Sequence, residues 1–315
     1  MYIAVKSITV TLFLLLAILL PAPGQGQELA SGREVPWPTQ APWSSLSLSG
    51  AKLGTTLTVS MRLGPAAEMA KLQPWAGLPQ TAACSTPPDQ AAMLSTTLTV
   101  KGMLRNSRYS EALWFDQTGS PQKRLRYNQE RGDYWLKGYC WEKNGVQRSK
   151  LVPADEDASS QKPSARAEQS SSWYPLPPHP AQCISVSDPA LLIVLASALA
   201  KEPQHHSLTL CTFGRQHLFL VEMVREIGAT QAVSYRILQN NQPAQERSSR
   251  IQPLVYRVSA QNVQPASQAE KFSLMGLEED IRILVDPATH LPIRVSGKAK
   301  LAGKVELELR EARLN

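Results

Sequence analysis

The sequence predicts a mainly β fold: a strongly curved antiparallel sheet, an open or half barrel of about a dozen strands, with one buried apolar helix. Three observations carry this expectation. Apolar and polar residues alternate with period two along much of the chain, as in Leu57, Val59, Met61 and Leu63 set between Thr56, Thr58, Ser60 and Arg62. One segment, Ala190–Ala200, is apolar almost throughout and lacks that alternation. The strand-like segments also follow one another without the βαβ rhythm of a parallel sheet.

The chain opens on a segment of different character. Lys6 precedes the apolar run Ile8–Leu20, and Ala22-Pro23-Gly24 follows. This is the layout of a secretory signal peptide over 1–24, with cleavage expected after Gly24. The run is 13 residues long, short of the roughly 20 that a membrane-spanning helix needs. No cysteine follows it for lipid attachment, so the expectation is a soluble exported protein, periplasmic in a bacterial host. Residues 25–43 carry Pro36, Pro38 and Pro42 beside Trp37 and Trp43 and read as an extended arm.

The N-terminal strands of the barrel are expected over 44–152. Thr97-Leu98-Thr99-Val100 repeats the alternation, and 109–117, 122–128, 132–141 and 145–152 read as successive strands. Turns fall at Gly119-Ser120, Arg131-Gly132 and Asn144-Gly145, the last suited to the positive φ angles of a type I′ hairpin. Residues 64–94 contain Pro65, Pro74, Pro79 and Pro87-Pro88; after a helical turn or two at Ala66–Leu72 they read as a crossover loop.

Residues 153–182 change composition. Ala154–Ser172 is acidic, then rich in Ser, Gln and Ala, and Tyr174–Pro180 is dense in proline. So little apolar surface cannot offset ordering entropy, and a disordered insert is expected. The helix and C-terminal strands of the same barrel follow over 183–315. Asp188 can cap the helix and Pro189 suits its first turn. Strands are expected at 206–213, 216–226, 229–239, 251–262, 271–285, 291–300 and 303–313. In the last, Val305, Leu307 and Leu309 alternate with Lys304, Glu306, Glu308 and Arg310.

The formal net charge is +7, with Arg and Lys interleaved with Glu and Asp. It reads as a solvated basic surface, with an anionic membrane or glycan as the functional alternative. Nucleic acid is a poor partner for an exported chain. The four cysteines, Cys84, Cys140, Cys183 and Cys211, suggest disulfides in an oxidising compartment. Three pairings are open, and Cys183–Cys211 is favoured because it brackets the helix.

No motif names a reaction. His205-His206 is the one histidine pair, and adjacent strand residues point to opposite faces, which disfavours a shared metal. Nucleophile elbows, phosphate loops and zinc motifs are absent. Asp155-Glu156-Asp157 and Glu278-Glu279-Asp280 read as solvated acidic turns. No catalytic residue, metal or cofactor is assigned, and no enzyme is expected. The aromatics are more informative, since Trp114, Tyr134, Trp135 and Tyr139 concentrate in one run of strands. With Leu191 and Leu195 of the helix they are the candidate lining of an apolar trough; ordinary core packing is the alternative.

The segment Leu284-Val285-Asp286-Pro287-Ala288-Thr289-His290-Leu291-Pro292-Ile293-Arg294-Val295 resembles the closing hairpin of an open-barrel envelope family, and Asp188-Pro189-Ala190-Leu191-Leu192 resembles the opening of its helix. The resemblance, over residues 95–313, is to an uncharacterised family of exported domains similar in architecture to the periplasmic lipoprotein carriers LolA and LolB. It implies a half-open antiparallel barrel whose concave face holds acyl chains. The expected function is therefore a non-enzymatic periplasmic envelope protein that binds a lipid or another apolar ligand. The alternatives are an envelope scaffold docking a protein partner through its Pro-rich segments, or an envelope hydrolase.

Overall fold

Residues 1–39 lie outside the described part of the computed structural model, as do 53, 70–90, 103–105, 131–132, 154–165, 179, 182, 184, 241, 265–269 and 301. The expected leader, the arm to residue 39 and Cys84 therefore fall outside it. Seventeen strands and two α-helices are present among the described residues. The first half holds β1 (Trp43–Lys52), β2 (Thr55–Pro65), the single turn α1 (Ala66–Met69), β3 (Ala92–Lys101), β4 (Asn106–Phe115), β5 (Pro121–Glu130), β6 (Asp133–Glu142), β7 (Gly145–Pro153) and β8 (Arg166–Pro175). The second half holds β9 (Val186–Ser187), α2 (Leu192–Leu199), β10 (Ser207–Phe213), β11 (Leu218–Ile227), β12 (Gln231–Leu238), β13 (Gln245–Ile251), β14 (Leu254–Asn262), β15 (Leu277–Val285), β16 (Pro292–Ala299) and β17 (Gly303–Leu314).

Both halves share one sheet. Antiparallel pairing runs from β8 back through β7, β6, β5, β4, β3 and β2 to β1. It crosses from β1 to β17 and continues through β16, β15, β14, β11 and β10. The expected all-antiparallel sheet needs correction, because β9 pairs with β10 in parallel and the end of β12 pairs with the end of β17 in parallel. Both contacts are short, and both place a segment on an edge that a neighbouring antiparallel strand leaves free.

The direct register partners trace one continuous face. It runs through Leu210, Val221, Met223, Val258, Ile283, Val295, Leu307, Leu309, Leu48 and Val59, all buried. The alternation of β17 sets Val305, Leu307 and Leu309 into this face and Glu306 and Glu308 on the other, as the sequence predicts. Helix α2 covers it, packing on β15 and β16. Asp188 accepts from the Ala190 amide at 2.9 Å and starts a single 3₁₀ turn, Pro189–Leu191, that leads into α2. Every residue of α2 is buried, the environment that an all-round apolar helix requires.

Two polar contacts fix this packing. Trp43 opens β1 rather than ending an arm; it is fully buried and its indole Nε1 donates to Ser197 Oγ of α2 at 3.0 Å. Asp286, in the β15–β16 turn, is also fully buried. It accepts from Tyr235 Oη at 2.7 Å and from the Ala288 amide at 2.8 Å, and pairs with Arg247 Nε at 2.9 Å. This carboxylate ties the β12–β13 hairpin to the turn. Burial, then the bond to Asp286, raises the Tyr235 pKa, with Thr289 and Arg247 opposing.

Three further expectations change. Residues 166–175, placed by composition in a disordered insert, form β8, paired along β7. Strands β9 and β13 also lack the apolar alternation that marks a strand in sequence, whereas β1 carries it in Leu46 and Leu48 set between serines. The β6–β7 hairpin exists, but its loop is Lys143-Asn144, and neither residue has positive φ. Gly145 belongs to β7 and serves close approach: a Cβ there would lie 2.3 Å from the Trp173 ring. Cys183 and Cys211 form the favoured disulfide, with Cα atoms 5.2 Å apart, and Cys140 is also disulfide-bonded.

Ser197→Ala leaves the buried Trp43 N–H without its acceptor. The variant should lose about 1–3 kcal/mol of unfolding free energy, measured by urea denaturation, whereas Ser44→Ala, at an exposed hydroxyl contact, should change it by less than about 0.5 kcal/mol.

Candidate functional site

The inner face changes chemistry where β4 meets β5. Leu113 pairs with Arg124, Arg124 with Tyr139, Tyr139 with Arg148, and Arg148 with Ser172. The next row along the strands is Glu111, Arg126, Lys137, Lys150 and Ser170. An apolar face has become a basic one with interleaved aromatics.

This part of the sheet does not face α2. Tyr139 and Val146, with Trp141 and Tyr174, pack on Phe213, Leu218 and the Cys183–Cys211 bridge. Cys211 and Phe213 lie on the face of β10 opposite Leu210, so the inner face of β6–β8 rests on the outer face of β10–β11. The sheet is a scroll whose two ends overlap.

Arg124 seals the overlap. Its Nη1 meets Asp188 Oδ2 at 2.5 Å and its Nη2 donates to the Gly214 carbonyl at 2.8 Å. The guanidinium carbon lies 4.1 Å from the Tyr139 ring centroid and 5.4 Å from that of Trp141. The two side chains of the pair are only 3% and 2% exposed. Asp188 thus caps the helical turn with one oxygen and holds β5 with the other.

Beyond Arg124 the charge is unbalanced. Arg126 Nε pairs with Glu111 at 2.8 Å; burial raises the Glu111 pKa, Arg126 and Arg124 oppose, and Asp188 adds to the rise. Lys137, Arg148 and Lys150 have no carboxylate partner among the described residues. Arg148 Nη2 donates to Ser172 Oγ at 3.2 Å, and its guanidinium sits 5.1 Å from the Tyr174 ring. Lys137 Nζ lies 4.5 Å from the Trp135 ring. Burial, then Arg148, Arg126, Lys150 and Arg215, push the Lys137 pKa down to about 8. Arg215 belongs to the β10–β11 turn, where Glu270 accepts from the amides of Arg215 and Gln216 and contacts His217 Nδ1.

The six residues expected to line an apolar trough do not come together. Trp114 packs on the opposite face of the sheet with Met69, Met93 and Ala66, and Lys123 Nζ lies 5.6 Å from its ring. Leu191 and Leu195 are fully buried at the helix. Trp135 and Tyr139 share the basic face, and Tyr134 is a neighbouring position of β6. Trp114 lies on the face opposite Trp135 and Tyr139, and Leu191 and Leu195 are fully buried, so one trough lined by all six is withdrawn. The sequence predicts solvated charge for the cations that stand there instead. Their signal, Lys and Arg at every second position of β5 and β7, cannot by itself tell an inner face from an outer one.

Among the described residues no group of three His, Cys, Asp or Glu side chains is placed to hold a metal ion, and no helix is long and apolar enough to cross a membrane. A separate pocket of about 270 Å³ lies between Ala51, Lys52, Leu57, Lys304, Val305 and Glu306. It shares no residue with the basic face.

No protein-family model matches the chain, and no curated protein matches it in sequence. Among solved structures it is similar to a β-barrel-like protein of the domain of unknown function DUF1849 from Brucella abortus. The two are 10% identical, with 86% of this chain and 96% of that one covered and a TM-score of 0.42.

Arg124→Met strands the buried Asp188 carboxylate and should cost about 3–5 kcal/mol in urea denaturation. Adding Asp188→Asn, which can still cap Ala190, should recover most of that loss. A second outcome concerns pH. Lys137 titrates lower in the fold, at about 8, than in an unfolded chain, at about 10.4. Between those values the unfolded state holds more protons, so this group's contribution to stability rises with pH. The stability of wild type minus that of Lys137→Met should therefore increase from pH 8 to pH 10.

Proposed function

We propose that this chain is a non-enzymatic, exported envelope protein that binds an amphiphilic ligand on the β5–β8 end of its scrolled sheet. The observation that carries this reading is the pairing of two half-buried cations, Lys137 and Arg148, which have no carboxylate partner among the described residues, with the aromatic rings of Trp135 and Tyr174 on one face. A fold gains nothing by holding like charges together at the edge of its core, whereas a ligand-binding surface does. The rings offer apolar contact and the cations offer orientation. The resemblance of the closing hairpin to that of an open-barrel envelope family, itself similar in architecture to lipoprotein carriers, supports a lipid among possible ligands. The helix-filled interior argues for binding at the sheet end rather than beneath the helix. The Cys183–Cys211 bridge supports an oxidising compartment, consistent with the periplasm.

The test is direct. Full-length protein purified from its native envelope without detergent should carry a bound amphiphile, detected by mass spectrometry of an organic extract. Trp135→Ala should reduce its occupancy by about fivefold or more, the range of losing one aromatic contact. Extracts free of any stoichiometric amphiphile, or equal occupancy in the variant, would overturn the reading.

A further inference from the structure

The row of cations across β5–β7 has the form of an anion cradle. Arg126, Lys137 and Lys150 are consecutive register partners, with Arg148 in the adjacent row. Directly paired strand residues stand about 4.5–5.5 Å apart, so one small anion can reach several of these heads. Ser170 and Ser172 extend the two rows onto β8 and supply hydroxyl donors. Two residues with unsatisfied polar atoms lie on the same face. Asn128, buried and one row beyond Arg126 on the same face, leaves its Oδ1 without a hydrogen-bond partner. Arg124 likewise leaves its buried Nε unpaired. Buried polar atoms are normally satisfied, and these two flank the Arg126 position along β5.

The geometry points to a phosphomonoester-binding site on the inner face of β5–β7, in which Lys137 and Lys150 contact the phosphate, Arg126 and Arg148 flank it, and Asn128 accepts from a hydroxyl of the ligand. This rests on the reading above and names the charged part of its ligand. A dianion matches the excess of cations better than a carboxylate does. Lysine heads act on it as adaptable point charges, while the arginine forks are already oriented, Arg126 by Glu111 and Arg148 by Ser172. The phosphate can belong to a free ester or to a lipid headgroup; the recognition chemistry is common to both.

Two probes separate these sources. Inorganic phosphate is titrated into the full chain by calorimetry, with chloride at matched ionic strength as the reference. Flotation is then measured with phosphatidylcholine vesicles with and without phosphatidic acid. Wild type should respond to phosphate beyond the chloride reference, or float with the phosphatidic acid vesicles alone. Lys137→Met/Lys150→Met should weaken that response by about tenfold or more, and Lys300→Met, which removes an exposed lysine elsewhere, should not. The double variant relieves like-charge repulsion, so its unfolding midpoint should not fall. Affinity should also decline as pH rises through about 8, where Lys137 loses its proton. A response to phosphate alone assigns a soluble ester, and one to vesicles alone a lipid headgroup. No response to either probe, or one unchanged in the double variant, overturns the site. If an amphiphile is then still retained from the envelope by wild type and double variant alike, amphiphile binding stands and the phosphate site alone fails.

Discussion

The buried Arg124–Asp188 pair is the contact on which the scroll depends. It joins a strand from the first half of the chain to the start of the helix in the second half. Each partner has further bonds: Arg124 to Gly214 and the faces of Tyr139 and Trp141, Asp188 to the Ala190 amide. That matters energetically, because a buried ion pair gains little over an apolar contact unless its remaining donors and acceptors are also satisfied. Here most are. Ser187 Oγ to Gly119 O at 3.4 Å lies along the same seam. The Cys183–Cys211 bridge then anchors the lead-in to the helix on β10, directly under the overlapping strands.

A scroll solves a problem that a closed barrel solves differently. Sheet edges invite pairing with other chains unless they are covered or closed. Here one end of the sheet is laid over the back of the other, so the β10 end is buried without ring closure. The apolar helix fills what would be the lumen, and its polar contacts are few and satisfied: Trp43 to Ser197 at one side, the capping carboxylate at its start. The Asp286 network does the same for the β12–β13 hairpin, which leaves the main path of the sheet because β11 pairs directly with β14.

The sequence made the most regular parts of this fold legible and left its seam obscure. Strand β17 is readable because one face meets the core and the other meets water, which enforces strict alternation. The helix is readable from Asp188-Pro189 and the unbroken apolar run after it. Strand β8 is not, because its stability comes from the ladder with β7 and from Trp173 over Gly145 rather than from apolar residues of its own. The candidate site was half legible. Trp135 and Tyr139 were found because aromatic spacing on one strand survives as a local signal. Arg126, Lys137 and Lys150 lie on three strands, and only the register makes them neighbours. Trp114 lies on β4, two strands before Tyr139 on β6, and falls on the opposite face.

The change of chemistry along a single face follows from the scroll itself. At β15 and β16 the inner face meets the helix and must be apolar. Past Leu113 the sheet has turned beyond the helix, and the same face meets the ordered turns and carbonyls of the other end. A guanidinium is suited there, since Gly214 and Asp188 supply acceptors that an aliphatic side chain would leave unpaired. Once Arg124 has used those acceptors, the cations farther along β5, β6 and β7 have no fixed role in closing the scroll. Burial, and then the repulsion of Arg148, Arg126, Lys150 and Arg215, lowers the Lys137 pKa, and Lys137, Arg148 and Lys150 have no carboxylate partner among the described residues. Structural necessity therefore ends at Arg124. The cations beyond it are the part of this face whose chemistry is free to serve a ligand.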